Sequence, residues 1–417
     1  MRKSLLTGIF LITHFLQANS QERLKGGVIP IMSWGGITQP EVSVASYKKL
    51  KDVGVNIDIA FFSSTDAIAS ALDAAGKAGV KLMISCPELK SDPEKIAKRF
   101  KDHPALEGYY LADEPGKPQF QELADWAKRL KTIDTKHYSF VNLYPNINSN
   151  QSKFGTKDYK EYVDTFDNMF PAPYISFDFY PVVDGAVHPR WYENMEFYTN
   201  KYKTEGRPFW AFGLTTSYLA YSNDAGQPSL NDFYQLYKTY NPEKTFVHDI
   251  PTLGELRLQV NVNLAYGAQG IEYWSFKGFG SPLDPNGKRT AIYDKLKQLN
   301  TEIQNLSSVF LGSKVISVAH TGLDIPNETK RLSHLPAPIK LLETKGEGAV
   351  VSVLENGKDT FLVIVNRDFK KQMKLILYTD DSVKRVLKDG TLIPANDYAH
   401  VMEVEPGDMS VYMFPTK

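Results

Sequence analysis

The chain has little with which to build covalent or metal cross-links. One cysteine, Cys86, stands among 417 residues, which excludes an intramolecular disulfide framework and any zinc cluster built on cysteine. Eight histidines are scattered with no HxH or HExxH pairing, so no metal or other cofactor is expected. An excess of one charge is also missing. Lys plus Arg and Asp plus Glu both number 48, which removes any global pull toward nucleic acid or anionic lipid. Low-complexity linkers and internal repeats are absent too. What remains, 42% hydrophobic and 23% charged residues, is a globular composition with room for more than one core.

The N-terminus carries one short apolar run. Met1-Arg2-Lys3 is a positive lead, Leu5 to Leu16 is apolar, and Ala18-Asn19-Ser20 places small residues before Gln21. This is the pattern of a removed export signal over 1–20. The run is too short for a membrane span, and no cysteine follows it to take a lipid anchor. A periplasmic or extracellular location is expected.

From Gly27 to about Ser308 short β-rich runs alternate with longer amphipathic segments. The runs are 28–34, 55–62, 80–86, 106–112, 138–144, 174–182, 208–215 and 270–276. Helical stretches lie near 41–53, 66–78, 93–102, 117–133, 157–168, 190–203, 252–268 and 286–308. Eight such units predict a closed (β/α)8 TIM barrel over 21–308. An open doubly wound sheet would call for a glycine-rich phosphate loop after the first run, and Trp34-Gly35-Gly36-Ile37 lacks that spacing. Thr38 with Glu41, and Thr252 with Glu255, both have capping-box spacing. From 309 to 417 the texture changes to short strands and turns, predicting an antiparallel β-sandwich that buttresses the barrel and carries no catalytic residue.

Alternate residues of a barrel strand point inward, and the more polar set is taken to mark the lumen. Run six separates Ile175, Phe177 and Phe179 from Ser176, Asp178 and Tyr180. Run five sets Asn142 and Tyr144 inward, and run eight Glu272 and Trp274. Asp58 and Lys81 share that parity near the bottom, so Lys81 is the expected ion-pair partner of a buried Glu272. Active sites of this architecture sit at the C-terminal strand ends. Run four ends there with Asp113-Glu114-Pro115. A partly desolvated acid at that place can hold a proton for a leaving oxygen; the same residues would equally serve as a cap for the segment starting near Lys117.

The stretch HPALEGYYLADEP at 103–115, with VNLYPN at 141–146, FDFYPV at 177–182 and LAYGAQGIEYWSF at 264–276, resembles secreted bacterial glycoside-hydrolase barrels. These are relatives of the retaining glycosidase clan that includes the family 42 β-galactosidases. The resemblance implies that Glu114 is the general acid/base, with Asp113 standing where the clan usually has Asn. It also implies a nucleophilic Glu on strand seven, but 207–216 (RPFWAFGLTT) holds no acid. That departure puts the covalent retaining mechanism in question.

Glycosidases generally need a second carboxyl group. Asp178 is the first choice by parity and height; Glu272 lies lower, and Glu255 is explained by its capping box. Because strand six is two strands from strand four, the wider, water-holding carboxyl separation is expected. Trp34, Tyr110, Tyr144, Tyr180, Trp210 and Trp274 lie at or near strand ends. Of these Trp274, Tyr180 and Trp34 are the first expected sugar contacts, and Tyr110 and Trp210 are expected to fill the barrel. The excursion from Ser217 to Ile250, with Tyr218, Tyr221, Asn223 and Asp224, is expected to shape the cleft.

The expectation is a glycoside hydrolase acting on a neutral glycan, with Glu114 and Asp178 catalytic. Asp113, Asn142, Tyr144, Tyr180, Trp34, Trp274 and Glu272 are expected on the substrate. The alternative is a non-catalytic glycan-binding protein on the same barrel. A metal-dependent isomerase or aldolase-type barrel would need His and carboxylate clusters or a strand-end Lys.

Overall fold

The computed structural model describes residues 22–221, 245–248, 250–278, 280–395 and 401–416. The segment 1–20, read as an export signal, lies outside them. Eight parallel strands close into a barrel: β1 Ile31–Trp34, β2 Ile57–Phe61, β3 Lys81–Ser85, β4 Leu106–Asp113, β5 Tyr138–Leu143, β6 Ile175–Phe177, β7 Phe209–Leu214 and β8 Gly270–Trp274. Pairing of Ile31 with Ile271 joins β8 to β1 and removes the last sheet edge. The main helices are α1 Val44–Asp52, α2 Thr65–Ala78, α3 Pro93–Phe100, α4 Phe120–Ile133, α5 Tyr159–Met169, α6 Trp191–Glu205, α7 Leu253–Ala265 and α8 Ala291–Asn305. Each predicted run and helical stretch overlaps one of these elements, with ends that differ by a few residues.

Local chemistry explains the ends. In α2 the Ser64 hydroxyl accepts the Ala67 amide at 3.3 Å, and Gly79 ends the helix at φ 75°, where a Cβ would be strained. Such an N-cap stabilises by about 1 kcal/mol. Thr252 and Glu255 form a reciprocal capping box at the start of α7. Thr38 and Glu41 do not. There the Thr38 hydroxyl meets the Glu41 carboxylate at 2.7 Å within a short 3-10 turn, and Lys277 binds the same carboxylate. Ser43 caps α1 instead.

Two apolar clusters divide the barrel. Met32, Trp34, Ile57, Ile59, Met83, Tyr110, Phe140, Tyr174, Trp210 and Phe212 fill the lumen. Ile31, Ala60, Leu82, Ile84 and Val141 belong to the layer between strands and helices. Asp58 lies on β2 between Ile57 and Ile59, so it faces the helix layer and not the lumen. Its carboxylate accepts Ser33 Oγ at 2.6 Å and the Gly36 and Ile37 amides at 3.1 and 3.2 Å, pinning the loop after β1. The polarity rule for parity fails on this strand because a polar residue was recruited by a loop.

The C-terminal part holds two antiparallel sheets. With β9 Lys314–His320, β10 Ile339–Glu343, β11 Ala349–Asn356, β12 Asp359–Asn366, β13 Met373–Thr379, β14 Lys384–Val386, β15 Leu392–Pro394, β16 Met402–Val404 and β17 Met409–Pro415, the orders are β9-β11-β12-β17-β14-β15 and β10-β13-β16. Val351, Leu362 and Ile364 meet Leu342, Leu375 and Leu377 between the sheets. The opposite face of the larger sheet, through Val350, Leu354, Phe361, Val363 and Val365, joins the barrel's own core. Helix α7 is consequently buried from Leu256 to Ala265, polar residues included. Arg257 reaches Glu302 at 3.0 Å and Asp408 at 3.5 Å, and Asn261 Nδ2 donates to Gly407 O at 3.0 Å. Among the described residues no helix is long and apolar enough to cross a membrane.

Candidate active site

A cavity of about 670 Å³ opens at the C-terminal end of the barrel. Trp34, Asp113, Glu114, Asn142, Asp178, Tyr180 and Trp274 all line it, so the structure brings together seven of the nine residues read from the sequence. The remaining two, Tyr144 and Glu272, do not reach its wall.

The acids are placed by the exit of β4. Asp113 pairs with Asn142 of β5, and the Glu114 amide continues the ladder with a 2.8 Å bond to Asn142 O. Glu114 then takes φ 45°, a left-handed conformation that a side chain of this size rarely adopts. Such strain persists only where surrounding contacts enforce it. Here the Pro115 carbonyl accepts Tyr162 Oη at 2.8 Å and the Lys117 amide donates to Phe154 O at 2.9 Å. Gly116 lets the 147–155 loop come close, since a Cβ there would stand 2.6 Å from Lys153 O. The helix-entry role falls to Gln119, whose side chain accepts the Gly116 amide at 3.0 Å. Asp113 and Glu114 are thereby released from capping.

The Glu114 and Asp178 carboxyls are hydrogen-bonded to one another. Burial, then the charges of Asp178 and Asp113, pushes Glu114 well above the usual carboxylate range, with Lys153 opposing. Asp178 is raised by burial and by Asp113, while hydrogen bonds from Asn142 and Glu114 favour its ionised form. One proton is therefore held between the two, on Glu114, and Asp178 accepts it. Asp178 Oδ1 is buried without a hydrogen-bond partner among the described residues. Asp113 is more open to the cavity; burial raises its carboxyl, and the hydrogen bond from Asn142 Nδ2, at 3.1 Å, lowers it.

Glu272 lies below the wall, fully enclosed, with Oε2 2.6 Å from Ser176 Oγ. The expected ion pair with Lys81 is not made. Lys81 sits at the open bottom of the barrel and binds Glu107 at 2.9 Å. Tyr144 turns its ring onto Phe154 and Tyr162, on the helix side. Its backbone is tied there by Tyr159 Oη, 2.8 Å from Tyr144 O, so strand alternation has ended one residue earlier. The ring instead supports Lys153, whose Nζ lies 5.4 Å from its centroid.

Trp34 forms an aromatic floor with Tyr110, Phe212 and Trp274 at centroid distances of 5.1, 5.7 and 6.0 Å. Trp210 lies deeper, stacked on Tyr174 at 3.9 Å. Lys153, His188, Arg190, Phe212 and His248 also line the cavity and carried no sequence signal beyond the pair His188 and Arg190 flanking Pro189. His188 Nδ1 accepts the Arg190 amide at 3.2 Å, and burial lowers its pKa, so it is neutral with hydrogen on Nε2. His248, lowered to about 4 by burial, gives its Nδ1 hydrogen to Val182 O at 2.7 Å. Asn223, Asp224 and the side chains of Tyr218 and Tyr221 lie outside the described residues. Among the described residues no group of three or more His, Cys, Asp or Glu is placed to hold a metal ion.

No protein-family model matches the chain, and no curated protein sequence does either. Among solved structures it is similar to the endo-glycoceramidase II from Rhodococcus sp. in its lactosyl-enzyme intermediate, at 12% identity and TM-score 0.39, over 94% of this chain and 98% of that one. A second similar structure is the GH99 endo-alpha-mannosidase from Bacteriodes thetaiotaomicron, at 11% identity and TM-score 0.43, over 68% and 99%. A third is a truncated form of 3-deoxy-D-arabino-heptulosonate 7-phosphate synthase from Thermotoga maritima, at 10% identity and TM-score 0.37, over 67% and 86%. The assignment of the barrel rests on its closed ring of paired strands, not on these likenesses.

Proposed function

We propose that the chain is a glycoside hydrolase in which Glu114 is the general acid and Asp178 the second carboxylate. The observation that carries this reading is the placement of two buried acids, Glu114 and Asp178, on the wall of one strand-end cavity, where burial and the neighbouring acids hold the Glu114 carboxyl well above the usual carboxylate range. A carboxylic acid kept protonated at neutral pH can deliver its proton to a glycosidic oxygen. When a glycan enters, that oxygen replaces Asp178 as the acceptor of the Glu114 hydrogen. The bond from the anomeric carbon to the leaving oxygen breaks as the proton arrives. Asp178, left ionised with an unpartnered oxygen, faces the oxocarbenium-like charge and either attacks it or activates water. Trp34 and Trp274 offer apolar faces to the C–H faces of a sugar ring.

The chain is proposed to act on a neutral glycan after export from the cell, with residues 1–20 removed. The same cavity could hold a glycan without turning it over, and that is the rival reading. Release of reducing ends or aryl alcohol from a panel of polysaccharides and aryl glycosides, run beside binding calorimetry on the same ligands, separates the two. Binding without release of product would overturn the hydrolase.

A further inference from the structure

Beneath the acid pair, hydrogen counting fixes the state of a carboxyl that does not touch the cavity. Ser176 Oγ lies 2.9 Å from Asn142 Oδ1 and 2.6 Å from Glu272 Oε2. A hydroxyl carries one hydrogen and can donate to only one of these oxygens. Asn142 Nδ2 is 3.1 Å from Asp113 Oδ1 and also meets Asp178. An amide nitrogen facing two carboxyls donates, which leaves Oδ1 as the acceptor toward Ser176. The Ser176 hydrogen is thus committed to Asn142, and the short contact to Glu272 must be made by a hydrogen on Glu272.

The surroundings agree. Glu272 Oε1 has no partner among the described residues, and Lys81, the nearest cation by strand parity, is held by Glu107. The groups that reach Glu272 are the carboxyls of Asp178 and Asp113 and the phenols of Tyr138 and Tyr174. None of them stabilises an anion by charge, and an unpaired buried carboxylate is costly.

We infer that Glu272 is a protonated carboxylic acid that donates to Ser176 and so directs a one-way chain, Glu272 to Ser176 to Asn142, that holds the donor face of the Asn142 amide on Asp113 and Asp178. Glu272 is a positioning residue. Its consequence for chemistry rests on the proposed acid pair: the chain keeps Asp178 an acceptor for the Glu114 proton. An ionised Glu272 would take the Ser176 hydrogen, leave Asn142 Oδ1 against a lone pair, and favour the reversed amide. The reversed amide would in turn require added protons on Asp113 and Asp178.

Infrared difference spectroscopy of the ligand-free full chain tests this without any substrate, so failure of the hydrolase reading does not touch it. Subtracting the Glu272→Gln spectrum from wild type at neutral pH should reveal the C=O stretch of a protonated carboxylic acid and no carboxylate band. Gln places an N–H where the acid O–H was, so this variant should fold. Ser176→Ala removes the acceptor, and the acid C=O band should move to higher frequency. A carboxylate band in the difference spectrum, a Glu272→Gln chain that does not fold, or a band unmoved in Ser176→Ala would overturn the inference.

Discussion

The carboxyl of Glu114, at the strained exit of β4, is hydrogen-bonded to that of Asp178, just past the end of β6. Two acids in contact cannot both ionise cheaply, so a single proton stays with the pair through neutrality.

Stability should carry this signature. Both folded pKa values lie above the ordinary ~4 of an unfolded carboxyl, so the folded state binds more protons than the unfolded state above that pH. Stability is therefore lost as pH rises from about 4 through the raised values. Asp178→Asn removes one of the crowded charges and should flatten the loss, being more stable than wild type at alkaline pH by about 1–3 kcal/mol. Denaturant titrations at a series of pH values measure it; an Asp178→Asn curve parallel to wild type would count against the pair.

Activity should require Glu114 protonated and Asp178 ionised, giving a bell-shaped profile whose alkaline limb reports Glu114. Lys153 opposes the rise of Glu114. Removing that cation in Lys153→Ala should raise the Glu114 pKa further and move the alkaline limb upward. The shift should be a fraction of a pH unit, since Lys153 is exposed. A limb that stays put or moves down in kcat/KM profiles would assign it to another group.

Removing residues 312–417 should yield insoluble protein. It would uncover the sandwich-facing side of α7, including Asn261 and the Arg257 pair with Asp408, and the apolar face now covered by Val350, Phe361 and Val363. Expression of the truncated chain with a solubility assay decides the matter, and a soluble, fully active barrel would contradict the shared core.

Export with cleavage near Gln21 remains a proposal from the N-terminal pattern. Amino-terminal sequencing of protein recovered outside the cytoplasm should begin close to Gln21; a chain still starting at Met1 would exclude it.

The barrel was legible because β-rich runs alternate with helical stretches eight times, and each of the eight runs overlaps a strand of the ring. The site was legible where strands end regularly: Asn142 and Trp274 keep their parity to the rim, whereas Asp113 reaches it through the register shift between Tyr110 and Ala112. It failed where long-range contacts intervene. Asp58 was drawn to a loop, Tyr144 was pulled to the helix layer by Tyr159, and Lys81 found Glu107 across β3 and β4. His188 and His248 entered the cavity wall from connections whose path no local pattern fixes. The contact between Glu114 and Asp178 was not readable either, because a shared proton leaves no trace in spacing.

The most direct test is turnover by Glu114→Gln on a glycan or aryl glycoside that the wild type cleaves. Gln keeps the shape and loses the transferable proton, so hydrolysis of substrates with poor leaving groups should fall roughly 100-fold or more while the ligand is still bound. Undiminished turnover in Glu114→Gln would contradict the assignment of the acid.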